Sequence, residues 1–366
     1  MKKVCVGLLV AFTLFAACSR TNSQSGATET FELALITDLG TIDDKSFNQG
    51  SWEGLVQFAR ERNITHKYYQ PSEQSDDAYL TAIDLAVKGG AKVVVTPGFL
   101  FEVPVFKAQD RYLDVSFILV DGSPNDGDWS NGEPEYRTGP NAVGVHYAED
   151  QAGFLAGYAA VKDGMRQLGF VGGMAVPAVI RFGYGFIQGA EYAAQELGLP
   201  EGAVTISYHY TGGFSANPEV QSLAASWYNQ GMEVIFACGG AVGNSVMAAA
   251  EGAGRKVIGV DKDQSSESPT VITSAMKGLQ ASVYAILVNH ADGAFPGGQT
   301  QVFDASNDGV GLPMNTSIFV SFSQADYDAI FAELASGRIP RMMDDATAGG
   351  NPSVVPVSIV RLMIAR

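Results

Sequence analysis

Cysteine is nearly absent from this 366-residue chain: Cys5, Cys18 and Cys238 are the whole complement. That is too few for a disulfide scaffold, and their spacing draws no zinc site. Positive charge is scarce as well. The 23 Lys and Arg residues face 39 Asp and Glu, a formal charge of −16, whereas a general nucleic-acid binder needs a basic surface to neutralise phosphates. The histidines His66, His146, His209 and His290 lie far apart with no pairing spacing. No G-x-x-x-x-G-K-[ST], G-x-S-x-G or H-E-x-x-H occurs, so the motifs of P-loop, nucleophile-elbow and zincin enzymes are missing. Long apolar runs are missing too. After the first run, every one is shorter than about eighteen residues or broken by polar side chains, below what a membrane-spanning helix needs.

What is present begins with a secretion signal. Lys2 and Lys3 precede the apolar run Val4 to Ala17, and small residues stand just before Cys18. The run stops at about fourteen residues, too short for a span. Its end, Leu14-Phe15-Ala16-Ala17-Cys18, resembles a bacterial lipobox, with Phe15 where Leu is usual. The expectation is a signal peptide over 1–17 and a lipidated N-terminal Cys18. The alternative is an ordinary signal peptide with a chance cysteine. Ser19 to Thr30, rich in Ser, Thr, Asn, Gln and Gly, has the composition of a flexible tether. Cleavage before Cys18 leaves 21 basic residues against 39 acidic, a charge of −18. Such a surface is not drawn to anionic headgroups, so acyl chains must provide the attachment.

Hydrophobic residues make up 46% of the chain, and its length suits two domains of roughly 150 residues. Beyond the tether, short apolar runs alternate with segments of helical period. Strands are expected at Phe31–Thr37, His66–Tyr69, Ala91–Thr96, Ser116–Val120 and Ala142–Val145, with helices at Ser46–Arg62, Asp76–Lys88 and Val103–Tyr112 between them. The pattern then restarts, with helices at Asp150–Lys162, Arg181–Leu197, Pro218–Gln230 and Gly243–Ala253 and strands at Gln167–Val171, Val204–Tyr210, Val234–Ala237 and Lys256–Val260. Ser123 to Pro140, dense in Gly, Pro, Asp and Asn, is expected to be a surface loop. A strand Val271–Ser274, a helix Leu279–Ala291 and a strand Val354–Leu362 remain to be shared between the halves. Alternating strands and helices call for parallel sheets with right-handed crossovers, an α/β class.

Open α/β sheets bind ligands beyond the carboxyl ends of their strands. Here those ends carry Asp38 to Asn48, Pro97-Gly98-Phe99, Asp121-Gly122, Gly172-Gly173, Thr211 to Phe214, Cys238 to Ala241, and Asp261. Carboxylates, small residues and aromatics dominate, with almost no cations. Glycine lets a backbone approach a ligand closely, carboxylates accept from hydroxyl and amino groups, and aromatic faces cover flat rings. The set suits an uncharged polyhydroxylated or heteroaromatic molecule. Each member also has a plainer reading: Gly239-Gly240 as a turn, Phe47 as core, Asp43 and Asp44 as helix-capping acids. Asp121 and Asp261 at strand ends in a cleft would cost desolvation unless partnered. Asp38, Asp43 and Asp44 as a calcium-type cluster would instead suit a nucleosidase.

The stretches TDLGTIDDKSFNQGSWEG, YAEDQAGFLAGYAA, RFGYGFIQGAEYA, YTGGFSANP and VIGVDKDQ resemble the basic membrane protein family of lipid-anchored solute-binding proteins. Within it the chain is most similar to the purine nucleoside receptor lipoproteins of the treponemal type. The similarity spans about Phe31 to the C-terminus. It implies a periplasmic binding protein type I fold, two Rossmann-like lobes joined by three strands around a hinged cleft. The lobes would comprise 31–148 plus about 278–318, and 149–277 plus about 319–366. It further implies that Phe47 and Phe214 sandwich a purine, that Asp121 hydrogen-bonds its edge, and that Asp38 and Asn48 line the mouth. Asp261 and Lys277, with Gly240 close by, would hold the ribose. Thr41, where glycine is more usual, and Ala241-Val242, which interrupts a glycine run, depart from the pattern. The function implied is capture of adenosine, guanosine or inosine at the cell membrane, facing the periplasm or exterior. The ligand would pass to the permease and ATPase subunits of an ABC transporter, without catalysis, cofactor, metal or nucleic acid. A ligand sensor without a transporter shares these features.

Overall fold

The computed structural model describes residues 32–38, 40–341 and 349–365. The expected signal peptide, Cys18 and tether lie outside them. In chain order the first elements are β1 (Leu33–Ile36), α1 (Phe47–Arg62), β2 (His66–Tyr69), α2 (Asp76–Lys88), β3 (Val93–Pro97), α3 (Glu102–Arg111), β4 (Ser116–Val120) and β5 (Ala142–Tyr147). A second series follows with α4 (Glu149–Lys162), β6 (Gln167–Gly172), α5 (Pro177–Glu196), β7 (Val204–Tyr210), α6 (Pro218–Asn229), β8 (Val234–Cys238), α7 (Val242–Ala253), β9 (Lys256–Asp261) and β10 (Val271–Lys277). Then come α8 (Leu279–Ala291), β11 (Gln299–Phe303), β12 (Val310–Gly311), α9 (Gln324–Ala335) and β13 (Val360–Ile364).

The strands form two sheets, ordered β11-β5-β4-β3-β1-β2 and β12-β10-β9-β8-β6-β7-β13. Among the described residues all strand pairings are parallel except β10 with β12. Central strands read as unbroken apolar runs because helices cover both faces: LALI in β1 and VIFAC in β8 are buried throughout. On the first sheet α2 and α3 cover one face, while α1 and α8 pack together on the other. The second sheet lies between the α6–α7 and α4–α5 pairs.

The two cores of the sheets repeat one order, 2-1-3-4-5 in the first and 7-6-8-9-10 in the second. Each therefore has a topological switch point, between β1 and β3 and between β6 and β8, where a crevice opens at the carboxyl ends. The chain passes between sheets at Ala148, at Gly278 and between β11 and β12. These crossings make two doubly wound lobes with a hinge.

Some expectations are corrected. Val310–Gly311, placed by sequence in the first lobe, pairs with β10 in the second sheet, so the third crossing lies before residue 310 rather than near 318. The C-terminal strand starts at Val360, not Val354. Residues 352–354 form a 3₁₀ turn capped by Asn351, and Pro356 supplies no N–H to a ladder. The Glu191 carboxylate accepts from the backbone of Ser358, Ile359 and Val360, fixing the entry of β13. β11 and α9 were not anticipated, and α5 begins a turn earlier than expected, at Pro177.

Candidate ligand-binding site

Between the lobes lies a cavity of about 200 Å³, lined from the first lobe by the β1–α1 segment and the ends of β3 and β4, and from the second by the start of α5 and the ends of β7 to β10. Asp38, Phe47, Asn48, Asp121, Phe214, Gly240, Asp261 and Lys277 all line it. Both switch points thus face one shared space, which a hinged trap requires.

The β1–α1 segment is held by its own carboxylates. Asp44 accepts from the backbone N–H groups of Ser46, Asn48 and Gln49 at 2.9, 3.0 and 3.1 Å, satisfying donors that a helix start leaves open. The capping reading holds for Asp44, while Asp43 is exposed and stands outside the cavity lining. The Asn48 amide N–H donates to Asp38 and Asp44, each at 3.0 Å. Its buried Oδ1 accepts no hydrogen bond among the described residues. Burial raises the Asp38 carboxyl against the bonds from Gly40 and Asn48. No group of three His, Cys, Asp or Glu side chains among the described residues could hold a metal ion.

Asp121 follows β4 and Asp261 ends β9, corresponding positions in the repeated strand order. Both have left-handed backbone, φ 59° and 68°, a conformation costing a non-glycine residue of order 1–3 kcal/mol and concentrated at functional sites. Lys277, at the end of β10 and 4% exposed, stands between them. Its ammonium bonds Asp121 Oδ2 and lies 3.4 Å from Glu149 and 3.6 Å from Asp261. Glu149 in turn accepts from Arg181 at 2.7 Å. Burial alone would neutralise these groups. For Lys277 the three carboxylates outweigh it and raise the ammonium's pKa. For Glu149, Arg181 and Lys277 outweigh it and hold the carboxyl at about 2. For Asp121 burial prevails over Lys277 and the carboxyl is pushed up to about 7. Asp261 is raised by burial against Lys277 and Ser46.

Phe47 and Phe214 enter from opposite lobes and are only partly buried, unlike core rings such as Phe117 and Phe236. That argues against the plain core reading of Phe47. The Lys277 ammonium lies 4.5 Å from the Phe47 ring centroid, and the Phe214 ring lies against Gly173, where a Cβ would sit 2.5 Å from its carbons. Gly240 has φ 57°, and a Cβ on Gly239 would meet the Gly173 backbone at 2.8 Å. The Gly239-Gly240 pair is therefore both a turn and a wall of the cavity.

The lobes also touch outside the cavity lining. Gln264 donates to the Lys45 carbonyl at 2.7 Å, Lys262 pairs with Glu53 at 2.7 Å and Lys45 with Glu267 at 3.4 Å, while Ser46 donates to Asp261 within the site. Partly exposed ion pairs are worth about 0–1 kcal/mol each, so these two link the lobes only weakly.

Sequence reasoning missed Phe182, which lines the cavity, and assigned no role to Glu149 or Arg181. All three sit inside the YAED and RFGYG stretches. For Arg181 a signal exists, a lone charge in the otherwise apolar helix start PAVIRFG, whereas Glu149 opens an acidic helix start, EDQ, and Phe182 reads as an ordinary apolar position. Cys238 lines the cavity with a buried free thiol whose pKa is pushed well up by burial.

Residues 31–338 match the family model described as ABC transporter substrate-binding protein PnrA-like. The chain belongs to this Bmp family of substrate-binding proteins. It is 28% identical over 335 residues to the "ABC transporter nucleoside-binding protein BmpA" of Lactococcus lactis subsp. cremoris, covering 84% of this chain and 90% of that protein. It is 28% identical to Basic membrane protein D of Borreliella burgdorferi, covering 88% and 89%. Among solved structures it is similar to an ABC transporter solute-binding protein of Aeropyrum pernix K1, with a TM-score of 0.67, 25% identity and coverage of 89% and 84%. The fold is that of type I periplasmic binding proteins, as the sequence resemblance implied.

Proposed function

We propose that this family member captures purine nucleosides between its lobes and delivers them to the permease and ATPase of an ABC transporter, without transforming them. The observation that carries the reading is the chemistry of the cavity. Two half-buried phenylalanines, one from each lobe, offer faces for a flat ring, while Asp38, Asn48, Asp121 and Asp261 offer acceptors for hydroxyl and N–H groups. Phe47 and Phe214 stack on the base and Asp121 meets its edge. Asp261 and Lys277 hold the ribose beside Gly240, and Asp38 with Asn48 closes the mouth. The printed name of the Lactococcus relative, a nucleoside-binding protein, supports the ligand class.

Among the described residues Lys277 is the one cation lining the cavity, and it is already shared by three carboxylates. A phosphate would meet like charge with no free partner, a juxtaposition costing several kcal/mol. AMP should therefore bind at least a hundredfold more weakly than adenosine in calorimetric titration, and adenosine should be recovered intact. Equal or tighter binding of AMP would contradict the reading, and release of adenine in proportion to protein would mark a hydrolase instead.

The anchor is part of the proposal. Full-length protein should partition into detergent through acyl chains on Cys18, each buried methylene being worth about 0.8 kcal/mol. Cys18→Ser should move it to the aqueous phase. Unchanged partitioning would refute acylation there.

A further inference from the structure

Two buried cations, Lys277 and Arg181, stand among three carboxylates, the buried Glu149 and Asp261 and Asp121, whose side chain is 7% exposed. Two positive charges cannot match three negative ones, and a buried charge without a partner is costly, so a proton belongs on one carboxyl. Glu149 has Arg181 and a share of Lys277, and Asp261 has Lys277 and the Ser46 hydroxyl. Asp121 uses only Oδ2, toward Lys277. Its Oδ1 is buried and makes no hydrogen bond among the described residues, and the residue lines the cavity.

The surrounding titratable groups leave this imbalance in place. Tyr147 of β5 is hydrogen-bonded to Ser282, and it and Cys238 of β8 are both raised by burial and remain neutral. Glu102 of α3 is turned to Ser123 and Asn125, and His146 of β5 to the Ser123 hydroxyl. Asp38 and Asp44, on the β1–α1 segment, bring only more negative charge to the same cavity.

We propose that Asp121 Oδ1 reads position N1 of the base by sharing one proton with it, carrying that proton when a 6-amino purine nucleoside binds and lacking it when a 6-oxo purine nucleoside binds. The inference rests on the reading above that Asp121 meets the base edge. N1 of adenosine is an acceptor, whereas N1 of inosine or guanosine bears hydrogen. One hydrogen fits between Oδ1 and N1. Two would collide, and none would set two lone pairs against each other. Adenosine therefore needs the carboxylic acid and inosine the carboxylate, and burial, by moving this carboxyl toward neutrality, keeps both forms accessible. The protons balance with solvent: adenosine binding to the ionised form takes one up, and inosine binding to the acid form releases one. One carboxyl thereby accepts both purine classes, and acidity sets their ranking.

The test is calorimetric titration of adenosine and inosine at about pH 6, 7 and 8, each in two buffers of different ionisation heat. Because each ligand selects one protonation state, the ratio of adenosine to inosine affinity should fall about tenfold per pH unit, and so about a hundredfold over the window. Wild type should take up protons with adenosine and release them with inosine. In Asp121→Asn, whose side chain does not titrate, the ratio should be flat. A wild-type ratio moving less than about twofold, or affinities falling in parallel, overturns the inference while leaving nucleoside binding intact. Failure of both nucleosides to bind at any pH overturns the functional reading and the inference with it.

Discussion

Replacing Lys277 with methionine is expected to destabilise the protein by about 3–5 kcal/mol, the range for removing one partner from a buried ion cluster. Glu149 keeps Arg181, but Asp121 and Asp261 lose their shared cation and stay buried. The sign with pH follows from their raised carboxyl pKa values. These acids bind protons more tightly folded than unfolded, so ionising them costs stability as pH rises above the ordinary carboxylate range. The loss in Lys277→Met should therefore be smaller near pH 5 than near pH 8. Adding Asp121→Asn should restore part of it, because the pair is then removed together. Urea unfolding at both pH values measures this, and a loss under about 1 kcal/mol at pH 8 would mean that Lys277 is not holding the carboxylates.

Phe47→Ala and Phe214→Ala are each expected to weaken purine nucleosides about a hundredfold. Stacking contributes roughly 0.5–1.5 kcal/mol per ring, burial of the ring against the base adds to it, and 1.4 kcal/mol is a factor of ten. Because neither ring is fully buried, melting temperatures should stay close to wild type, whereas truncating a core phenylalanine costs about 3–5 kcal/mol. Titration beside thermal melts separates the two outcomes. Normal affinity with a collapsed melting temperature would make both rings structural. Asp261→Ala is the control: a lost ribose contact should weaken adenosine more than adenine.

These consequences trace to features of unequal visibility in sequence. The buried strands were legible because a sheet covered on both faces leaves only apolar positions, as in VVVTP of β3 and VIFAC of β8. The cavity residues were legible because α/β topology sends ligands to strand ends, and the side chains there are acids, glycines and phenylalanines. β11 was not, since QTQVF is a half-exposed edge strand without an apolar run. Nor was the partnership of Lys277, which draws on β4, α4 and β9. Asp121, Glu149 and Asp261 lie at very different distances from it along the chain, and the crossing at Ala148 together with the pairing of β9 and β10 brings them together. Asp38 and Asp44 look alike in sequence and both line the cavity, and only the backbone N–H groups of the α1 start that Asp44 accepts distinguish them.

Occupancy of the cavity between the lobes by a purine nucleoside is the expectation on which the binding predictions rest. Its most direct test is mass spectrometry of the small molecules released when protein purified without added ligand, from cells grown in rich medium, is denatured. The expected result is an intact purine nucleoside, near one per protein molecule, and lost from the Phe47→Ala and Phe214→Ala variants. Recovery of a sugar, peptide or nucleotide in that proportion, dependent on the same two phenylalanines, would contradict it.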